Sequence, residues 1–393
     1  MEKTRFQTED QNMTSILSSL PYFPEDSLQA ILKDIEACLR SGRLTDGPFL
    51  QQFESAFATY NRVKFAVGVN SGTASLEVAL RHFGIKDREV IVPTNTFIST
   101  PNSVYFAGGK PVLADMDEET LCIDIDDVKR KVTQRTVGVI VVHIAGLICP
   151  QIRELKRFCD EEGLFLIEDA SHAHGATIDG QLAGTFADAG CFSLYPTKVM
   201  TSCEGGMVVT NNLGLAESMR CMRNCGQTRQ REVVMLGHNW RLNELAAIVG
   251  LHQLEHIERF IKRRNEVARF YESTLKDTNG VTLFKTPQNI RHSYYKFPIK
   301  LAPEIDRDKL SIKLKEKFGV ETGSVYYPPC HLQPYYLENY VKNGEFPVAE
   351  RVLKSVLCLP MHANLTLENL KFIKDALISC LDELELKGLT VYG

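Results

Sequence analysis

Between Ser27 and Leu39 the apolar residues Leu28, Ile31, Leu32, Ile35 and Leu39 recur at the spacing of one helix face, and Leu44-Thr45-Asp46-Gly47-Pro48 after them must turn. The pattern then changes to short apolar runs: Phe65–Val69, Val90–Pro93, Pro111–Ala114, Val137–His143, Leu164–Ile167, Gly190–Leu194 and Met207–Thr210. Amphipathic segments such as Ile152–Glu162 lie between most of them. The runs at 139–142 and 164–167 are apolar throughout, as strands buried on both faces are. This alternation predicts an α/β fold with a mainly parallel seven-stranded sheet flanked by helices.

Beyond Asn243 a helical pattern runs almost unbroken to about Leu275 through Leu251, Leu254, Ile257 and Phe260, long enough to bridge two domains. A strand at Tyr294–Ile299, a helix at Ile305–Phe318 and a terminal helix at Leu367–Leu386 predict a smaller C-terminal α+β domain. The first twenty or so residues lack periodicity and read as a mobile arm that packs on another part of the assembly. The expected division is an arm over 1–25, a large domain over 26–255 and a small domain over 256–393. The chain shows no internal repeat or low-complexity tract.

The bulk chemistry narrows the function classes. A formal charge of −4 over 393 residues gives no pull toward nucleic acid or an anionic membrane. The 11 cysteines are scattered without a C-x-x-C pair, which fits a reducing cytoplasm better than a disulfide framework or a zinc ribbon. No apolar stretch in Met1–Thr14 or later predicts a targeting or membrane-spanning segment. His172-x-His174 lacks the further ligands of a zinc site, and His252 and His256, four apart, read as a helix face, so no metal is expected.

Three segments carry candidate chemistry. In Val67–Leu76 an apolar strand ends in Asn70-Ser71-Gly72-Thr73 and a helix begins, a place where free N–H groups and the helix dipole favour a phosphate, although taken alone the segment is explained more simply by Ser71 or Thr73 capping the helix. In Leu164–Ala176 a buried strand delivers Glu168 and Asp169 to its C-terminal end, where ligands sit in open α/β sheets. A carboxylate there either holds a pyridinium nitrogen protonated or caps the next turn. In Gly190–Met207, Lys198 lies in a loop between two apolar strands, where desolvation can leave an amine nucleophilic. Pro196 restricts the approach to it, and Gly205-Gly206 allows tight backbone packing after it.

With Gly237-His238-Asn239-Trp240-Arg241, these motifs resemble the DegT-type sugar aminotransferases of pyridoxal 5′-phosphate (PLP) fold type I, from about Leu20 nearly to the C-terminus. The resemblance implies that Lys198 carries PLP as a Schiff base and shuttles the proton during transfer, and that Asp169 pairs with the pyridinium nitrogen. Gly72, Thr73 and Ser193 look like phosphate ligands, and Phe97 like the aromatic stacked on the cofactor ring, the alternative being a core phenylalanine. Asn239 and Arg241 match positions that reach the phosphate from a neighbouring subunit, implying a homodimer with shared sites; a helix cap with a salt bridge is the alternative for Arg241. His331 resembles a position near the sugar substrate, against a structural role. His172 stands where many members carry glutamine near the cofactor's 3′ oxygen, and Cys203 where glycine is usual.

The implied reaction transfers an amino group from an amino acid, with glutamate the expected donor, to a nucleotide-linked keto-deoxysugar by ping-pong chemistry. A keto-inositol or other cyclitol is the alternative acceptor, suggested by His172. A sugar dehydratase of the same fold replaces the lysine by histidine, and a non-catalytic PLP-binding regulator would not need Lys198. No G-x-G-x-x-G follows a strand, which sets a Rossmann dehydrogenase aside.

Overall fold

In the computed structural model of the chain, which describes residues 15–339 and 345–389, the seven apolar runs form one sheet. Its strands are β1 Phe65–Val69, β2 Glu89–Pro93, β3 Lys110–Ala114, β4 Thr136–Val142, β5 Phe165–Asp169, β6 Ala189–Ser193 and β7 Gly206–Thr210. They lie in the order β1-β7-β6-β5-β4-β2-β3. β7 runs antiparallel to both its neighbours, and every other pairing is parallel.

Successive strand residues face opposite sides, so one apolar run serves two cores. Val139 and Val141 join Leu166, Phe192 and Val209 in one, while Ile140 joins Val67, Val92, Ile167 and Val208 in the other. The helices Pro48–Asn61 and Ile152–Glu161 cover the first face with Phe53, Phe57, Ile152 and Leu155. Gly72–His82 and Leu213–Arg223 cover the second with Leu76, Leu80, Leu215 and Met219. A separate core gathers Val267 and Tyr271, the antiparallel strands Val281–Leu283, Phe297–Leu301 and Val356–Leu359, and the helices Arg307–Phe318 and Leu367–Leu389.

The structure departs from the sequence pattern in three places. The long helix after Asn243 is two helices, Glu244–Glu255 and Ile257–Leu275, broken at His256. His256 closes the first by donating its N–H to the carbonyls of Gln253 and Leu254, which frees the second helix to turn its apolar side into the smaller core. The strand expected at Tyr294–Ile299 begins at Phe297, because Tyr294 has φ +47°, outside strand geometry. The described part of the N-terminal arm is docked on its own chain: Ile16 bridges Val320, and Met361 donates its N–H to the Ser18 carbonyl at 3.1 Å. Residues 1–14 of that arm lie outside the described residues.

The two carboxylates at the end of β5 face opposite ways. Glu168, fully buried, accepts the backbone N–H of Gly184 at 2.7 Å, Phe186 at 2.7 Å and Ala187 at 2.9 Å, with His143 Nε2 at 2.8 Å. Cys149 donates its N–H to His143 Nδ1, so His143 donates from Nε2 to Glu168. Glu168 thus ties the chain before β6 to the strand beside it. Glu168→Ala strands these donors in a dry interior and should lower unfolding free energy by about 3–5 kcal/mol in denaturant titration. Glu168→Gln, which sets an NH2 group against N–H donors, should fall between.

Burial also depresses His174 and His292, each to about 3, with the charges of Lys198 and Arg264 adding to the effect on His174. An unfolded histidine titrates at about 6.5. Both groups therefore contribute full stability above that value and lose it as pH falls toward 3, because the unfolded chain takes up protons that the folded chain refuses. Each should cost about 2 kcal/mol between pH 7 and pH 5. The check is denaturant unfolding at the two pH values, with His174→Met reducing the acid loss by about 2 kcal/mol.

Candidate active site

Three chain segments meet at the C-terminal edge of the sheet. The first is the turn from β1 into the helix Gly72–His82. Ser71 caps that helix, its side chain accepting the Ala74 N–H at 3.1 Å, and Thr73 Oγ1 donates to Ser99 Oγ at 2.8 Å. A Cβ on Gly72 would sit 2.6 Å from the Cβ of Ser193, so glycine alone lets the end of β6 close against the turn. A Cβ on Gly206 would sit 2.2 Å from the Ser71 carbonyl oxygen, which accounts for the second glycine of Gly205-Gly206.

The second segment is the excursion between β6 and β7. Its neck is closed by the Leu194 N–H donating to the Gly205 carbonyl at 2.8 Å, and Thr201 Oγ1 donates to the Leu194 carbonyl at 2.8 Å. Lys198 sits half-buried on its tip, held by its own N–H to the Tyr195 carbonyl at 3.0 Å. Its ammonium lies 4.6 Å above the centre of the Tyr295 ring and pairs with no carboxylate among the described residues. Cys203, where glycine is usual in the resembled family, has φ +69°, a region that glycine enters without strain.

The third segment follows β5. Asp169 accepts from Thr100 Oγ1 at 2.9 Å on one oxygen and from the Ser171 N–H at 3.2 Å on the other. His172, almost fully buried, stacks on Tyr295 with ring centres 4.4 Å apart, and its Nε2 meets the Tyr326 hydroxyl at 2.8 Å. Its Nδ1 has no partner among the described residues. Burial, with the nearby charges of Lys198 and Lys296, holds this imidazole neutral well below its ordinary pKa, while burial raises the Tyr326 hydroxyl well above its own. Tyr326 therefore keeps a proton to donate to Nε2, which makes Nδ1 the N–H side of the ring.

The other sequence candidates fall in different surroundings. Phe97 is 54% exposed, so it is not a core residue; its ring stands 5.9 Å from that of Tyr326. It opens onto a cleft of about 720 Å³ whose lining includes Asn102, Tyr105, Tyr326, Gln333 and Tyr335. Arg241 is bridged through its backbone to Val69, and its guanidinium donates to Asn224 Oδ1 at 2.9 Å. Asn239 is exposed, its carbonyl accepting from Asn70 Nδ2 at 3.4 Å. His331 is buried with both ring nitrogens engaged, Nδ1 with Thr94 Oγ1 at 2.6 Å and Nε2 with Glu350 at 3.3 Å, and it stacks on Phe346. It has no ring nitrogen left for a ligand and pins its loop to the end of β2.

Sequence reasoning missed Thr100, Tyr295, Lys296 and Tyr326. Tyr295 and Lys296 read as the start of a strand, and Tyr326 sits beside the segment quoted for His331; a buried tyrosine pair flanking a lysine outside any strand is a signal only after Tyr294 is known to leave the sheet. The residues gathered here fit PLP. The Gly72 cradle leaves N–H groups at a helix N-terminus for a phosphate, Asp169 offers a carboxylate to a ring nitrogen, and the buried His172 Nδ1 lacks a partner among the described residues. Lys198 supplies an amine against a dry aromatic wall.

Comparison with known proteins agrees. The DegT/DnrJ/EryC1/StrS aminotransferase family matches residues 26–378. GDP-perosamine synthase of Escherichia coli O157:H7 is 34% identical over 349 residues, 87% of this chain and 93% of that protein. Helicobacter pylori PseC, an aminotransferase involved in the biosynthesis of pseudoaminic acid, superposes with a TM-score of 0.88 at 27% identity, covering 94% of this chain and all of that one. NtdA of Bacillus subtilis, solved with bound cofactor PMP, gives 0.84 at 27% identity over 93% of this chain and 86% of that one. The chain therefore belongs to the DegT/DnrJ/EryC1/StrS aminotransferase family and is a PLP-dependent sugar aminotransferase.

Proposed function

We propose that the chain takes an amino group from glutamate and delivers it to the ketone of a nucleotide-linked keto-deoxysugar. The observation that carries the aminotransfer reading is the Lys198 amine over the Tyr295 ring, on which His172 also stacks, paired with no carboxylate among the described residues. The nucleotide-linked acceptor is supported by the similarity to GDP-perosamine synthase. His172, in place of the commoner glutamine, keeps a keto-inositol as a second acceptor class.

When bound, PLP carries the amino group and withdraws electrons from the carbon that gains or loses it. The chain's own residues do the rest. Gly72, Thr73 and Ser193 hold the phosphate, Asp169 keeps the ring nitrogen protonated, and Thr100 holds that carboxylate in place. Phe97 would pack against the cofactor ring, and the neutral His172 would offer its Nδ1 hydrogen to the ring's oxygen. Lys198 Nζ moves the proton. Asn239 and Arg241 serve the phosphate of a second copy's site, a reading supported by the strongly exposed apolar residues Val233, Val234 and Leu236 on the loop before them.

Lys198→Ala should abolish turnover while retaining noncovalent cofactor, and borohydride should fix the label on Lys198 in the unmodified protein. Wild-type rates in that variant, or a label elsewhere, refute the assignment. Following loss of the PMP form against nucleotide keto-sugars and keto-inositols separates the acceptor classes, and a response to keto-inositols alone overturns the nucleotide-linked reading.

A further inference from the structure

Tyr295 reaches the site from the segment that leads into the smaller core, and nothing in the motif pattern assigns it a task. Two functional groups lie against its ring. The Lys198 ammonium lies 4.6 Å from the ring centre, and the His172 imidazole stacks at 4.4 Å with 25° between planes. Its hydroxyl meets Thr197 Oγ1, one residue before Lys198, at 3.1 Å. Its backbone is fixed as firmly. Arg264, buried, donates to the carbonyls of Tyr294 at 2.9 Å and Tyr295 at 3.4 Å, and Lys296 donates its N–H to the Ala145 carbonyl at 3.1 Å. Gly146, at φ +100°, lets this segment approach, since a Cβ there would lie 2.9 Å from the Tyr295 nitrogen and 2.9 Å from the His172 carbonyl oxygen.

We infer that Tyr295 is a positioning residue: its ring face is the shared wall that sets the Lys198 amine and the His172 imidazole against one bound cofactor and favours the protonated amine. The inference rests on Lys198 being the cofactor-binding amine. A cation over an aromatic face is attracted by the ring quadrupole, most strongly where water is excluded, and Tyr295 is almost fully buried. Besides this amine, the charged or titratable groups around the Tyr295 and His172 rings are Lys296, Arg264, His143, His174 and Tyr326, and Asp169 acts on Tyr326. Lys296 and Arg264 are the cations among them, and the Tyr295 ring face is the group that attracts the Lys198 ammonium. Burial raises the phenol of Tyr295, but Lys198 and Lys296 outweigh it and bring the group below its ordinary value, consistent with close approach of those charges.

The test is the pH titration of visible absorbance of the PLP-loaded protein, which reads protonation at the lysine nitrogen without turnover. Tyr295→Leu should lower the midpoint by about one pH unit. Tyr295→Phe, which keeps the ring, should restore it to within a few tenths of a unit of the unmodified protein. Tyr295→Met keeps most of the volume and replaces the leucine variant if that one does not fold. An unmoved midpoint in the ring-less variants, or an equal shift in the phenylalanine variant, overturns the inference. Borohydride fixation on the same samples keeps the two readings apart. A label absent from Lys198 defeats the assignment of the amine, whereas a label on Lys198 with an unmoved midpoint defeats the role of Tyr295 alone.

Discussion

β7 enters the sheet antiparallel between β1 and β6, and its first residue, Gly206, pairs with Val69 on one side and Ser193 on the other. In a wholly parallel sheet the starting end of a strand in that slot would lie at the opposite edge. Here it lies at the edge where β1, β5 and β6 end, so the helix-starting turn, the Lys198 excursion and the Asp169 segment are all set by one hydrogen-bond register. Gly206 and Gly72 then allow backbone-to-backbone contact that any side chain would hold apart. The site depends on that contact, because a Cβ at Gly206 would push the helix-starting turn away from the end of the lysine excursion.

The pattern of apolar residues made the sheet legible, since doubly buried strands leave uninterrupted runs that no surface element needs. All seven strands appear where those runs stand. The pattern was less informative where apolar residues serve contacts between layers. The break at His256 leaves the helical spacing of Leu254, Ile257 and Phe260 intact, so periodicity carries no mark of it. Tyr294 and Tyr295 have strong strand propensity, yet the close approach allowed by Gly146 and the buried Arg264 overrides it. At the candidate site, the sequence singles out Lys198 and Asp169 because short motifs surround them. Tyr295, Tyr326 and Thr100 were not, because they reach the same place from distant segments and only the fold joins them. The strand-end pair illustrates the limit: sequence places Glu168 and Asp169 side by side, and only the alternation of strand faces sends Asp169 to the site and Glu168 into the framework.

The segment Ser293–Lys296 also couples the smaller core to the sheet. Ser293 Oγ donates to the His172 carbonyl at 2.8 Å and its N–H to the Gly146 carbonyl at 3.2 Å, while Lys296 Nζ donates to the Ser324 carbonyl at 2.7 Å. A shift of the smaller core relative to the sheet would therefore move Tyr295 and, with it, the surface under Lys198.

The balance of charge shows why a bound anion suits this arrangement. Around Tyr295 stand Lys198, Lys296 and Arg264, and the carboxylate facing the site is Asp169. Arg264 is buried against backbone carbonyls and, among the described residues, against no carboxylate, so burial brings it down to about 10. His172 and His174 remain neutral in the same neighbourhood rather than add charge. An interior with this surplus of cations carries an electrostatic cost that aromatic faces and carbonyl dipoles offset only in part. A phosphate-bearing aldehyde supplies the missing negative charge, and because it binds the folded chain alone it stabilises the fold as well as completing the site. The surplus of Lys198, Lys296 and Arg264 around Tyr295 thus favours an anionic cofactor, ahead of any contact that recognises the sugar.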